Sequence, residues 1–120
     1  MKSELSLANK IWNLIQHNYN NRIIAMTGFA IFNIDIKKPE EYKEYVSRVK
    51  PIAEKYGDEY IVRGGENEIV EGTWTYPRTV IIKFPTYEKA LEWYNSDEYQ
   101  PVKKIRLDNS TSNAIIIKGA

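Results

Sequence analysis

Arg63 closes a short apolar run, Tyr60-Ile61-Val62, and Gly64-Gly65 follows it at once. Arginine is ionised at every physiological pH, and a fixed cation beside apolar residues is costly unless it meets an anion. The paired glycines free the backbone to turn sharply at that point. Glu71-Gly72 comes shortly after, so two readings stand for Arg63. It binds a substrate anion, or it pairs with Glu71 across a turn. Near the far end, Tyr99-Gln100-Pro101 is followed by Arg106. Arg106 either converges with Arg63 to form a cationic pocket suited to a carboxylate, or packs its stem and sends its head to solvent.

The chain carries nine tyrosines, several of which fall on the apolar stripes described below. Tyr45 and Tyr99, with Trp93, are candidate ligand-binding residues. The plainer reading is core packing, with each hydroxyl hydrogen-bonded at the edge. A tyrosine acting as an acid near neutral pH needs a neighbouring cation, which Arg63 or Arg106 could supply. Asp35 is a candidate general base, or a solvated residue at a strand end. His17 is the sole histidine and lies upstream of the other candidates, and there is no cysteine. A proximal-histidine haem, a zinc site, a disulfide and thiolate catalysis therefore have no ligands or nucleophile to draw on. No paired carboxylates fall at ligand spacing, and Gly64-Gly65 lacks the spacing of a phosphate-cradling loop. Neither a cofactor nor a metal is expected.

A chain of 120 residues makes one small domain with a real core. Seventeen basic and 16 acidic residues leave a net charge of +1, too little for a general field that captures nucleic acid or an anionic membrane. No apolar run approaches the roughly 20 residues that span a bilayer, and Asn9, Lys10 and Asn13 break up the amino-terminal apolar residues that a secretory signal would need. A soluble, cytoplasmic protein is expected, with neither nucleic acid nor membrane as a partner.

The elements follow from periodicity. Leu5, Ala8, Ile11, Trp12 and Ile15 share a helical stripe within residues 4–17, and Asn18-Tyr19-Asn20-Asn21 breaks it. The compact domain is expected over 26–120. Residues 1–25 are either an added amphipathic helix or a leader that arises from a start-site artefact, Met26 being the natural start. Gly28 to Ile36 alternates as a strand, with Ala30, Phe32, Ile34 and Ile36 on an apolar face and Phe29, Ile31, Asn33 and Asp35 on a half-polar one. Pro39, then Glu40 and Glu41, start a helix carrying Tyr42, Tyr45, Val46, Val49, Ile52, Ala53 and Tyr56 as far as Gly57, with Pro51 as a weak point. Tyr60–Arg63 and Glu68–Glu71 flank Gly64–Asn67 in a hairpin-like arrangement. Arg78 to Phe84 is a strand, Thr86 caps a helix bearing Ala90, Leu91 and Tyr94, and Ser96 caps a second with Tyr99, Val102 and Arg106 on one face. Ser112 to Lys118 closes the domain as a strand.

The order β-α-β-β-α-α-β is an α+β pattern, the split βαβ of ferredoxin-like sandwiches, with an antiparallel sheet and helices on one face. The other face, carrying Phe29, Ile31, Ile81, Ile115 and Ile117, is then an apolar patch that demands a partner. A homodimer with sheets packed face to face is expected.

From Met26 to Gly119 the chain resembles domain of unknown function 1330, a mostly bacterial family of the dimeric α/β-barrel superfamily. The resemblance is carried by the strand Gly28–Ile36, Pro39-Glu40-x-Tyr42-x-x-Tyr45, Arg63-Gly64-Gly65, Glu71-Gly72, Arg78 before its strand, Phe84-Pro85-Thr86-Tyr87, and Trp93-Tyr94-x-Ser96-x-x-Tyr99-Gln100 with Arg106. It implies a homodimer whose sheets meet in a barrel-like core. Superfamily relatives include cofactor-free monooxygenases, lactone isomerases and haem-binding enzymes, but fold alone transfers none of these activities. The expectation is a homodimer that binds a small carboxylated or aromatic metabolite between sheet and helices, at Arg63, Tyr45, Trp93, Tyr99 and Arg106. Any catalysis would be cofactor-free proton transfer or oxygenation. The alternative is a non-catalytic structural dimerisation module.

Overall fold

Alternation along the central strand sorts its side chains, and the rest of the fold is arranged around that division. A computed structural model describes the backbone of residues 2–120 and the side chains of residues 6–17 and 26–120. Its elements are α1 (Lys2–Met26), β1 (Gly28–Ile36), α2 (Pro39–Glu54), β2 (Glu59–Arg63), β3 (Arg78–Phe84), α3 (Tyr87–Asn95), α4 (Tyr99–Asn109) and β4 (Ser110–Lys118). The four strands form one antiparallel sheet in the order β2-β3-β1-β4. The protein is an α+β, ferredoxin-like fold with an additional amino-terminal helix.

The core lies between one sheet face and α2, α3 and α4. Ala30, Phe32 and Ile34 of β1 and Val80, Ile82 and Phe84 of β3 are buried there. From the helices they meet Tyr42, Tyr45, Val49, Ala53, Ala90, Trp93, Tyr99 and Val102. In α2, Pro39 sits in the first turn, where the missing amide hydrogen costs nothing, and the helix runs on through Pro51. The Thr86 side chain accepts a 3.0 Å hydrogen bond from the Lys89 amide and caps α3, worth about 1 kcal/mol. The Ser96 hydroxyl accepts from the Tyr99 amide at 3.3 Å and donates to the Trp93 carbonyl at 2.8 Å, joining α3 to α4.

The opposite face is laid out in cross-strand rows. Ile81, Ile31 and Ile115 are partners across β3, β1 and β4, and Lys83, Phe29 and Ile117 form the next row. Thr79, Asn33 and Asn113 follow, so the face is apolar at one end and polar at the other. Within one chain Ile115 is 55% exposed and Ile117 48%.

Two elements depart from the sequence pattern. The hairpin expected from Tyr60–Arg63 and Glu68–Glu71 is replaced by direct pairing of β2 with β3, in which Arg63 faces Val80. The Gly64 amide donates to the Thr79 carbonyl at 2.8 Å, so the hydrogen-bonding edge is already taken and residues 64–77 leave as a long loop. The break expected at Asn18–Asn21 is absent, and α1 is helical throughout. Asparagine costs a helix less than about 0.7 kcal/mol per residue, too little to interrupt a backbone that neighbouring turns favour. Leu7, Ile11, Trp12, Leu14 and Ile15 of α1 are exposed. Among the described residues, no helix is long and apolar enough to cross a membrane.

Candidate functional site

Antiparallel pairing of β2 with β3 decides which cations meet. Arg63 ends β2 opposite Val80, and Arg78 lies two residues back along β3, on the same helix-facing side. Both arginines line a cavity of about 90 Å³ with Tyr42, Val46, Val49, Lys50, Tyr60 and Val80. The Arg63 guanidinium carbon lies 4.1 Å from the centre of the Tyr60 ring, a cation–π contact that fixes its direction. Among the described residues no carboxylate forms an ion pair with Arg63, Arg78 or Lys50, whereas Arg48 of α2 is paired with Glu44. The Arg78 Nε is buried with no hydrogen-bond partner.

Gly64 makes this arrangement possible in two ways. Its φ of +65° is the left-handed conformation that side chains disfavour. A Cβ placed on it would stand 2.7 Å from the Arg78 Cζ, so the missing side chain is the space in which the guanidinium rests. The loop beyond is held from the other face. The Asn33 amide donates to the carbonyls of Tyr76 (2.8 Å) and Arg78 (3.2 Å), and its oxygen accepts from the Tyr76 amide at 2.9 Å. The backbone that carries Arg78 is thereby anchored to β1.

The residues expected to share a pocket are divided by the fold. Arg63 is on the cavity. Tyr45, Trp93, Tyr99 and Arg106 lie deeper, in the packed core. Trp93 is fully buried, stacked on Phe84 at 5.2 Å and 4.5 Å from Tyr99 between ring centres. The hydroxyls of Tyr45 and Tyr99 are 2.9 Å apart. Arg106 is 1% exposed. It does not snorkel: its guanidinium donates to the Ser112 hydroxyl at 2.6 Å, lies in the field of Tyr99, and stands 5.0 Å from the Phe32 ring centre and 6.0 Å from that of Tyr45. Asp35 is on the opposite sheet face and pairs with Lys37 at 2.7 Å. Glu71 lines a groove of about 450 Å³ on that same far face, with Val62, Trp74 and Ile81, and makes no ion pair with Arg63.

Arg78, Lys50, Tyr42 and Tyr60 were the residues missed as site candidates. A signal for Arg78 existed, since it has the same strand parity as the buried Val80, Ile82 and Phe84. Lys50 lies one turn beyond Val46 on α2, and nothing in the periodicity set it apart from other surface lysines.

Burial shapes the chemistry of the tyrosines. It pushes the Tyr60 phenol up to about 12, with the Asp58 charge adding to the rise and Arg63 opposing it. It raises Tyr45 well above the ordinary phenol range, helped by the adjacent Tyr99. Tyr99 is raised by burial and pulled back by Arg106, while Tyr42 is raised by burial and pulled back by both Arg106 and Arg78. Tyr42 therefore stands in the field of two arginines, between the cavity and the core. All four phenols are protonated at neutral pH and can donate hydrogen bonds. Among the described residues no cluster of histidine, cysteine or carboxylate side chains could hold a metal.

The family model for a domain of unknown function (DUF1330) matches residues 27–120. The chain belongs to this family. Among solved structures, the DUF1330 chain is similar to RPA0582, a protein of unknown function from Rhodopseudomonas palustris, with a TM-score of 0.64 and 15% identity over 80% of this chain and 84% of that one. It is similar to SnoaB, a cofactor-independent oxygenase from Streptomyces nogalater, with a TM-score of 0.57 and 9% identity over 80% and 95% of the two chains. It is also similar to a hypothetical protein of Arabidopsis thaliana, with a TM-score of 0.58 and 14% identity over 79% and 89%. At these identities the likeness is one of fold. No curated protein sequence matches the chain.

Proposed function

We propose that this DUF1330 domain is a homodimeric small-molecule-binding protein whose ligand, a small carboxylated or aromatic metabolite, enters the pocket between sheet and helices. One observation carries the reading: Arg63 and Arg78 line the same cavity and no carboxylate of the described chain pairs with either. Cations that fold beside one another repel, and the arrangement is stabilised when an anion arrives. A guanidinium fork suits a carboxylate, which it can hold through two parallel hydrogen bonds. Tyr42 and Tyr60 supply further donors and a flat wall.

The dimer is supported by the apolar rows on the outer face, which a second copy would cover. A chain without cysteine suits a reducing cytoplasm. A cofactor-independent oxygenase among the structural neighbours is consistent with cofactor-free chemistry on this fold. The chemistry these residues suit is proton donation from a phenol to a bound anion that arginines have polarised. A second reading, a non-catalytic dimerisation module, draws on the complete burial of Trp93, Tyr99 and Arg106, which gives those residues a sufficient role in the core.

Thermal-shift measurements against small carboxylates separate the two readings. Stabilisation of the wild type that disappears in Arg63→Ala and Arg78→Ala supports binding at this cavity. No stabilisation by any acid, or equal stabilisation of the variants, favours the module.

A further inference from the structure

The size and charge of the cavity narrow the ligand further. Its volume of about 90 Å³ equals roughly three waters at the ~30 Å³ that each occupies in the liquid. Pockets for drug-sized ligands run to ~300–1,000 Å³, so this space does not enclose a polycyclic or extended aromatic compound. An acid with a short carbon chain fits.

Three cations, Lys50, Arg63 and Arg78, line that small space. Asp58, with Glu54 near it, lies in the field of Arg63 and Lys50 without forming an ion pair with either among the described residues. Arg106 adds to the same field from one layer deeper, through Tyr42. None of the three cations is tied to a carboxylate by an ion pair among the described residues, around a space that accepts one small molecule. The two guanidinium groups reach it from neighbouring strands, and Lys50 reaches it from α2, so the charge faces the ligand from two sides.

Resting on the binding function proposed above, we infer that the preferred ligand is a small dianion, a short-chain dicarboxylate, held with one carboxylate at the Arg63–Arg78 pair and the other toward Lys50. Each planar fork can hold a carboxylate through paired hydrogen bonds, as it can a phosphate, so inorganic phosphate is the competing ligand chemistry to separate by experiment.

Isothermal titration of the full-length protein with acetate, propionate, malonate, succinate and inorganic phosphate, at fixed ionic strength, tests this. The expected result is binding of malonate or succinate about tenfold or more tighter than acetate or propionate. Lys50→Met and Arg63→Met, both changes at exposed side chains, should reduce that preference while leaving monocarboxylate binding measurable in Lys50→Met. Equal affinity for mono- and dicarboxylates would overturn the dianion inference and leave the carboxylate pocket standing. Tight binding of phosphate alone would overturn the dicarboxylate assignment. Failure of every acid to bind would remove the proposed function along with it.

Discussion

Arg106 shows how a residue can look like a ligand contact in sequence and take on an internal role in the fold. Its charge is buried without a carboxylate partner among the described residues, its guanidinium donates to the Ser112 hydroxyl, and Tyr99 and two aromatic rings surround it. Arg106→Met keeps the stem and removes the cation, so Tyr99 loses the charge that favours its ionised form and pulls its pKa down. Its titration, followed by tyrosinate absorbance, should move higher in Arg106→Met, whereas Arg106→Ala should cost about 2–4 kcal/mol of stability through the cavity it leaves. The pH dependence of the wild type follows from the same group of phenols. Tyr42, Tyr45, Tyr60 and Tyr99 all have raised pKa values in the fold. Their contribution is therefore fully present below the ordinary phenol value of about 10 and is lost as pH climbs through the folded values, about 12 for Tyr60. Denaturant melts should show no tyrosine-linked change below that window and a fall in stability within it. Gly64→Ala tests the other end of the site. A positive φ and the contact with Arg78 both oppose the added methyl, so about 1–2 kcal/mol of destabilisation is expected together with weaker carboxylate binding.

At the level of elements, the strands and helices were legible because their periodicities are clean. Ala30, Phe32, Ile34 and Val80, Ile82, Phe84 alternate without exception, and Tyr42, Tyr45, Val49 and Ala53 recur at helical steps. Residues 64–77 were not legible, because Ile69-Val70 resembles a strand locally while β2 already has its partner in β3. The site was half legible for the same reason. Arg63 could be singled out by its own surroundings, but its partner is set by a strand register that sequence spacing does not encode. The clamp on this loop is a single side chain. Asn33→Ala removes three hydrogen bonds to the backbone of Tyr76 and Arg78, at about 0.5–1.5 kcal/mol net each, so about 1.5–4.5 kcal/mol of stability should be lost. Hydrogen exchange should localise the loss to residues 73–79. Carboxylate affinity should fall as well, because the clamp holds the backbone of Arg78.

For the whole molecule, the question is what covers the outer face of the sheet. Ile81, Ile31 and Ile115 stand in one row and Phe29 and Ile117 in the next; in the single chain Ile115 and Ile117 are about half exposed and Ile81, Ile31 and Phe29 are partly buried, while the far end of the same face is polar at Asn33, Asn113 and Asp35. A face graded in this way packs best against a second copy turned end for end, which buries the apolar rows and leaves the polar ends wet. Ile115→Lys discriminates this arrangement from a monomer, because the residue is 55% exposed in one chain and the substitution should change the stability of that chain by no more than about 0.5 kcal/mol. In a face-to-face dimer the same lysine would be buried without a counter-ion, at a cost of several kcal/mol per interface. Leu107→Lys serves as the control: Leu107 is equally exposed, at 54%, but lies on α4, away from the sheet. Light scattering coupled to size exclusion should report a dimer for the wild type and Leu107→Lys, and a monomer for Ile115→Lys at the same micromolar concentration. A wild-type monomer would leave the apolar rows uncovered in solution and refute the dimer. A persistent dimer in Ile115→Lys would place the interface elsewhere, with the exposed apolar side chains of α1 the next surface to substitute.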